Sequence, residues 1–342
     1  MDPTTALGRG CVKTQKNFVE RKIDLSKRPL CHFFGIGNGV PTHEFLSDLR
    51  FYTASARTRH SSLLRNNALN QCTYRQLHDA LLDYQGDRAY AEVLLPWLQA
   101  NTDQHLWLRS INQREGKPIP SVKEDELWDL YALSRVFDLL LLRFQDGGAE
   151  ADWDGPHIST DEFLEFTKAF GLTVVTPTSY SAFYHEVVKV ELSDKLSRAP
   201  AIKAYRWPCV MLGNLLILRG GVELTSGANI LSPDVAENST LYWTYRRKGR
   251  PHQDLSHGWG SNSQWRTAFR RDYVIGNVQY FNVDGKQDLQ AKGEKLTRIL
   301  ESDPELTLEE RVELLTNRCF VKCAKPHDEL WPYDDRFQIA LS

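Results

Sequence analysis

The sequence lacks an apolar run long enough to cross a membrane. Its most apolar stretch, residues 209–218, is interrupted by Gly213 and Asn214, whereas a helix that spans a bilayer needs about 20 apolar residues. The apolar segment of a secretory signal peptide is also missing, because polar residues follow Met1. We therefore expect a soluble, cytoplasmic protein that does not bind a membrane.

Cysteine is scarce, with 6 among 342 residues, which excludes a small scaffold held together by disulfides. Cys319 and Cys323 form a C-x-x-x-C pair, and His327 follows as a third potential zinc ligand. Zinc sites usually need a second ligand pair at a defined spacing. No such pair follows, so we interpret the cysteines as reduced thiols.

Net charge is also small, −2 at pH 7, which excludes a surface that is basic throughout. Charge is nevertheless concentrated, because residues 243–273 contain seven arginines and lysines against two aspartates. This basic segment carries +5, and the rest of the chain therefore carries −7. A basic segment in an acidic protein attracts anions locally.

The length exceeds the roughly 250–300 residues at which a single hydrophobic core usually stops growing, so we predict more than one domain. Residues 1–30 are polar and basic and predict an arm. The patterns that follow predict a mainly helical domain over residues 31–148 and an α+β domain over residues 158–342. The polar stretch between them contains Gly155-Pro156, which is typical of a boundary.

Helical spacing of apolar residues dominates the first half of the chain. The pattern predicts helices over residues 74–84, 87–96, 102–115 and 121–146. Three S/T-x-x-E capping boxes predict helix starts. They are Ser121 with Glu124, Ser159 with Glu162, and Thr307 with Glu310.

The second half favours strands, over residues 172–176, 182–192, 210–218 and 241–245. Gly276-Asn277 separates two further apolar runs, which predicts a hairpin with a type II′ turn. Helices are predicted over residues 287–300 and 308–318. The predicted fold class is therefore α+β, with a helical N-terminal part followed by a mixed, mainly antiparallel sheet and C-terminal helices.

Residues 250–266 form the chemically most varied stretch, and they mix His, Asp, Ser, Asn, Gln, Trp and Arg. A site that binds a polar ligand needs such a mixture, whereas a packed core does not. Guanidinium groups bind carboxylate or phosphate through two hydrogen bonds, which predicts a small anionic or polar molecule as the ligand. The predicted ligand-binding residues are Arg266, Arg270, Arg271, Trp259, Trp265 and Asn262.

His257 and Asp254 are the predicted catalytic pair. Histidine titrates near neutral pH and suits proton transfer, and the carboxylate of Asp254 would orient its ring. We therefore favour an enzyme, of hydrolase or oxidoreductase type. The structural alternative is that both side chains only hydrogen-bond within their own segment, above packed tryptophans.

A metal-assisted version of this site uses His252 and Asp254, which share one side of an extended strand because side chains alternate. With His327 they would form the set of two histidines and one carboxylate that binds Fe(II) in non-haem iron sites. Zn is the second metal that such ligands take. A more compact variant of the site uses His252, Asp254 and His257.

Two further patterns predict other kinds of site, a phosphate-binding loop and a cysteine nucleophile. Gly35-x-Gly37-x-Gly39 lies between an apolar run and a helix start, where backbone N–H groups bind phosphate; the alternative is a tight turn that needs glycine. Cys72 precedes a predicted helix, whose N-terminus favours the thiolate and hence a nucleophile. The alternative for Cys72 is a small buried apolar residue.

The basic segment also suggests macromolecular partners. Arg246-Arg247-Lys248-x-Arg250 with neighbouring aromatic residues is typical of binding to single-stranded nucleic acid, although the acidic remainder of the chain disfavours it. Arginine and tryptophan also dominate the centres of protein interfaces. Our second hypothesis is therefore a non-catalytic module that binds an acidic protein partner. An enzyme needs the charged groups to converge on one cavity, whereas this module needs them on a flat face.

Overall fold

The computed structural model describes residues 73–113, 119–147, 153–253, 265–302, 304–325, 330 and 332–341. These residues belong to one unit, residues 65–342. The predicted arm over residues 1–30, the glycine loop of residues 35–39 and Cys72 lie outside the described residues. The boundary predicted at residues 149–157 adjoins positions that are not described, and it stays a prediction.

Helices make up the first half of the described chain. They are α1 (Thr73–Asp83), a π-helical turn (Tyr90–Leu94) that continues into α2 (Leu95–Ala100), α3 (Thr102–Gln113), α4 (Glu124–Leu141) with a short 3-10 turn (Leu142–Phe144), and α5 (Thr160–Ala169). The helix predicted over residues 87–96 continues to Ala100, because Pro96 lies in the first turn of α2, where proline is tolerated. No helix in the described ranges is long and apolar enough to cross a membrane.

The start of α4 corrects one prediction. Ser121 does not cap this helix; Lys123 is the N-cap, and its backbone N–H donates to Glu126 Oε2 at 2.8 Å. The other two capping boxes are confirmed, because the N–H of Glu162 donates to Ser159 Oγ at 3.2 Å. The N–H of Glu310 likewise donates to Thr307 Oγ1 at 3.3 Å. A capping motif therefore marked the right region at 121–126 but the wrong residue.

The strands of the described residues form three sheets. They are β1 (Thr173–Val175), β2 (His185–Leu192), β3 (Ala201–Trp207), β4 (Cys209–Leu212), β5 (Leu215–Leu218), β6 (Gly220–Ser226), β7 (Leu241–Tyr242), β8 (His252–Gln253), β9 (Tyr273–Ile275), β10 (Val278–Phe281), β11 (Gln287–Asp288) and β12 (Asp335–Ala340). A seven-stranded sheet has the order β1-β4-β5-β9-β10-β12-β11, a three-stranded sheet the order β2-β6-β3, and β7 pairs with β8. The pairs β2–β6, β7–β8 and β11–β12 are parallel and the remaining pairs are antiparallel, so the predicted fold class is confirmed.

The predicted hairpin is present as β9 and β10, and Gly276 has a φ of 58°. The strand predicted over residues 210–218 is two strands, β4 and β5, which turn back on each other at Gly213-Asn214. The sequence patterns missed β6, because Gly220 and Gly221 favour a break. Gly221 is instead required by packing, since a Cβ there would lie 2.5 Å from the ring of Trp207.

Three further helices complete the described fold: α6 (Pro233–Asn238), α7 (Glu294–Glu301) and α8 (Leu308–Asn317). The helix predicted over residues 287–300 begins only at Glu294, because Gln287 and Asp288 pair with β12 as β11. Arg318 ends α8 with a left-handed backbone, φ 62°. Non-glycine residues seldom adopt this conformation.

The largest hydrophobic core joins the helices to the seven-stranded sheet. It contains Leu130, Leu133 and Phe137 of α4 together with Leu215 and Ile217 of β5. The backbone N–H of Phe269 donates to Leu127 O at 3.1 Å and so ties the chain before β9 to α4. Residues of α4, β5 and the segment before β9 therefore surround a common interior, in which polar groups are also buried.

Candidate functional site

A cavity lies where α4, the end of β5, residues 243–247, residues 268–270 and Arg318 meet. The cavity has a volume of about 50 Å³. A cavity needs at least roughly 10–15 Å³ to hold one water molecule. The cavity therefore has room for a few water molecules or for one small chemical group.

Arginine dominates the charged lining of this cavity. Among the described residues, the lining arginines are Arg135, Arg219, Arg247, Arg270 and Arg318. The carboxylates in the lining are Asp138 and Glu186, and Asp272 contacts three of the arginines. Among these described residues of the lining and Asp272, positive charges therefore exceed negative charges by two.

Three of these guanidinium groups surround Asp272, and we refer to Arg219, Arg270 and Arg318 as the arginine triad. Arg270 Nε donates to Asp272 Oδ1 at 2.8 Å, and Arg318 Nη2 donates to Asp272 Oδ2 at 3.1 Å. Arg219 Nη2 lies 3.9 Å from the same Oδ2. The backbone N–H of Asn282 also donates to Oδ1, at 2.7 Å. One fully buried carboxylate thus serves as the counter-ion of three cations.

The last turn of α8 accepts hydrogen bonds from two members of the triad. Arg219 Nη2 donates to Thr316 O at 2.6 Å, and Arg270 Nη2 donates to Leu315 O at 2.9 Å. Carbonyl groups in the last turn of a helix lack partners within the helix and carry partial negative charge. These carbonyls stabilise the two guanidinium groups, and Arg318 follows α8 directly in the chain.

Several N–H groups of the triad have no hydrogen-bond partner. In the described structure these buried atoms are Nε and Nη1 of Arg219, Nη1 of Arg270 and Nε of Arg318. A buried donor without an acceptor costs about 1–3 kcal/mol, and more when it is charged. Such groups are uncommon in native proteins, and a missing ligand is one physical reason for them.

The charges of the triad and of Asp272 depend on one another. Burial alone would raise the pKa of Asp272, but Arg270, Arg318 and Arg219 together lower it to about 2. Burial and repulsion from Arg318 and Arg270 lower the pKa of Arg219 to about 9, and burial lowers that of Arg270 to about 10. Both values lie above neutral pH, so Arg219 and Arg270 are charged at pH 7.

The other charged residues of the lining balance one another, because Arg247 and Arg135 supply two positive charges against the two carboxylates of Glu186 and Asp138. Arg247 donates from Nε and Nη2 to the two oxygens of Glu186 at 2.9 and 3.1 Å, and from Nη1 to Asp138 Oδ1 at 2.8 Å. Burial opposes the charge of Arg247, but the two carboxylates raise its pKa. Burial raises the pKa of Asp138. The positive charge in excess therefore lies with the triad.

Aromatic side chains support these cations from the apolar side. The guanidinium carbon of Arg270 lies 4.1 Å from the ring centroid of Trp243, and that of Arg135 lies 3.7 Å from that of Tyr245. Such cation–π contacts stabilise a partly desolvated cation. Trp243 has a φ of 54°, a backbone conformation that is costly for a bulky residue. Backbone strain of this kind concentrates at functional sites.

The structure separates the three arginines that we predicted as ligands. Arg270 lines the cavity, whereas Arg271 donates from Nε and Nη2 to Asp284 at 2.7 and 2.6 Å and from Nη1 to Pro120 O at 2.7 Å. Arg266 is exposed and lies 5.6 Å from the ring of Trp128. Trp265 is half-buried, and its ring packs edge-to-face against that of His78, with 4.9 Å between the two ring centroids. Only one of these four residues therefore belongs to the cavity.

The other predicted site residues lie outside the described residues: His257, Asp254, Trp259, Asn262 and His327. The catalytic pair therefore stays a prediction. His252 lies in β8, half-buried, and its Nδ1 accepts from the backbone N–H of Arg247 at 3.3 Å. In the ranges that the structure covers, no group of three His, Cys, Asp or Glu side chains is placed to bind a metal ion. The Fe(II) or Zn site of His252, Asp254 and His327 stays a prediction.

Sequence reasoning missed two members of the triad. Arg219 interrupts an apolar run, between Leu218 of β5 and Gly220 of β6, and a charged residue in a buried strand region is the signal that would have found it. Arg318 gives no comparable signal, because an arginine after a helix is common.

Comparisons of this chain with models of protein families, with curated proteins and with solved structures find no match.

Proposed function

We propose that this protein binds a small anion in the cavity, through the arginine triad. The observation that carries the proposal is the set of buried N–H groups on Arg219, Arg270 and Arg318 that have no acceptor. An anion placed among them would accept those hydrogen bonds and oppose the charge in excess. Hydrogen bonds between ions are about twice as strong as those between neutral groups.

Repulsion within the triad favours an anion over water alone. Water would satisfy the N–H groups, but it would leave three cations sharing the single carboxylate of Asp272. In a buried site, where the effective dielectric constant is low, that repulsion is costly. A bound anion removes both costs together.

The geometry supports a receptor for a small molecule rather than a module that binds an acidic protein. Arg247, Arg270 and Arg271 of the basic segment are buried, so their charges are not presented on a flat face. The triad instead converges on one cavity. Any reaction of the bound anion is assigned to the predicted pair His257 and Asp254, in the part of the chain that connects β8 to Trp265.

Isothermal titration calorimetry of the purified protein with inorganic phosphate and with acetate tests the proposal. We expect saturable binding of at least one of these anions. In Arg219→Met, which keeps side-chain bulk but removes the charge, binding should weaken. The matched control is Arg266→Met, because Arg266 is exposed and lies outside the cavity. Absence of binding in the wild-type protein, or equal binding in Arg219→Met, would overturn the proposal.

A further inference from the structure

The cavity itself shows how this protein binds a planar carboxylate. Glu186 receives two parallel hydrogen bonds from Nε and Nη2 of Arg247, at 2.9 and 3.1 Å. This side-on fork matches the two oxygens of a carboxylate, which lie in one plane. The hydrogen-bond geometry of the triad can be compared with that of this pair.

At least one donor of this fork is already engaged on every member of the triad. Nη2 of Arg219 donates to Thr316 O, and both Nε and Nη2 of Arg270 are bonded, to Asp272 and to Leu315 O. Nη2 of Arg318 donates to Asp272. The N–H groups that remain come from three guanidinium groups on three separate elements. They suit an anion whose oxygens point in several directions.

Charge gives the second criterion. The described lining and Asp272 leave two positive charges in excess. A carboxylate supplies one negative charge, whereas a phosphate group carries about −1.5 to −2 at pH 7. Only the second comes close to neutralising the site, which matters because uncompensated buried charge is strongly unfavourable.

Size gives the third criterion. The cavity volume of about 50 Å³ is several times the roughly 10–15 Å³ that is the minimum for holding one water molecule, so a small chemical group fits. A phosphate group has five non-hydrogen atoms and is of this size. A nucleotide or a sugar is larger, so any organic part of the ligand must remain outside the cavity.

From donor directions, charge and size together we infer that the triad binds a phosphate group, a tetrahedral oxyanion with two charges, in preference to a carboxylate. This inference rests on the proposed function. Inorganic phosphate and the phosphate of a small monoester share the chemistry that the triad recognises. The two sources differ only in what lies at the mouth of the cavity.

Calorimetric titration at pH 7.5 with inorganic phosphate, sulfate, acetate and phenyl phosphate tests the inference. We expect phosphate and sulfate to bind about tenfold to a hundredfold more tightly than acetate, the equivalent of one additional hydrogen bond to a charged group. If phenyl phosphate binds at least as tightly as phosphate, a monoester is the source; if it does not bind while phosphate does, free phosphate is the source. Acetate binding as tightly as phosphate would overturn the inference and leave the proposed function intact. Absence of binding by all four probes would overturn the proposed function itself.

The ratio of phosphate affinity to acetate affinity in a variant of Arg219 is a second test, because a purely structural role of Arg219 would not change this ratio. Arg219→Met removes one of the two charges in excess, so the ratio of phosphate affinity to acetate affinity should fall towards one. Arg266→Met should leave that ratio unchanged. An unchanged ratio in Arg219→Met would overturn the inference, and the comparison of anions on the wild-type protein tests it even if this variant does not fold.

Discussion

Replacing Asp272 by asparagine should destabilise the protein and make its stability depend on phosphate. The substitution conserves shape but leaves Arg219, Arg270 and Arg318 without their shared counter-ion. Three buried cations would then repel one another with no carboxylate between them. A bound phosphate dianion would restore much of the missing negative charge.

The magnitude follows from the lowered pKa of Asp272. A fall from 3.8 to about 2, at roughly 1.4 kcal/mol per pH unit, corresponds to about 2–3 kcal/mol of stability. Because the folded pKa is lowered, this contribution is present above about pH 4 and is lost as the pH falls towards 2. Breaking a buried ion pair costs about 3–5 kcal/mol by mutation, so the expected loss at pH 7 is about 2–5 kcal/mol.

Thermal unfolding is the appropriate assay. For a domain of this size about 2–4 °C of Tm corresponds to each kcal/mol, so we expect the Tm of Asp272→Asn to fall by roughly 5–20 °C. Saturating phosphate should raise the Tm of this variant more than that of the wild type. The matched control is Asp284→Asn, because Asp284 also pairs with an arginine but is itself exposed to solvent, which screens its charge, so we expect a smaller fall in Tm.

Two results would refute this reasoning. The first is a Tm for Asp272→Asn no lower than that of Asp284→Asn, since the triad would then not need its counter-ion. The second is a phosphate-induced rise in Tm that is the same in Asp272→Asn and in the wild type. In that case the anion would not share the electrostatic role of the carboxylate.

Three further predictions concern the ligand and the fold. Phosphate affinity should rise as the pH increases through the second ionisation of the phosphate group, which lies at about 6 for a monoester such as phenyl phosphate, whereas sulfate affinity should stay constant. Calorimetry between pH 5 and 8 measures both affinities, and parallel profiles would contradict the role of the second charge. Ser159→Ala should lower the free energy of unfolding by about 1 kcal/mol, because the N–H of Glu162 loses its acceptor. Urea titration measures the loss, and Ser179→Ala, at an exposed bend, serves as the control. Gly221→Ala should lower the free energy of unfolding by about 1–3 kcal/mol, because the added Cβ meets the ring of Trp207. A free energy of unfolding equal to that of the wild type would show that the sheet relaxes at this position.

Local features of this fold were predictable because they depend on neighbouring residues. The β9–β10 hairpin follows from Gly276-Asn277 between two apolar runs, and two of the three capping boxes were located to the residue. The parallel pair β2–β6 was not predictable in this way. Its partners lie far apart in the chain, and Gly220 and Gly221 resemble a turn unless the packing of Trp207 is known.

The candidate site illustrates the same limit. The basic segment predicted Arg270 as a ligand-binding residue, but the same pattern predicted Arg271 equally. Successive side chains of an extended segment point to opposite sides, and Arg270 indeed shares a side with Asp272, whereas Arg271 bonds Asp284. Arg219 and Arg318 join the cavity only through the pairing of β5 with β9 and the position of α8. That convergence is a property of the tertiary fold.

The last turn of α8 has a consequence beyond holding two guanidinium groups. Because Leu315 O and Thr316 O bind Arg270 and Arg219, this turn cannot unwind without displacing two of the three cations. Occupancy of the cavity and fraying of the helix end are therefore linked, and each changes the other by the same free energy. We therefore expect amide hydrogen exchange in this turn to become slower when an anion fills the cavity.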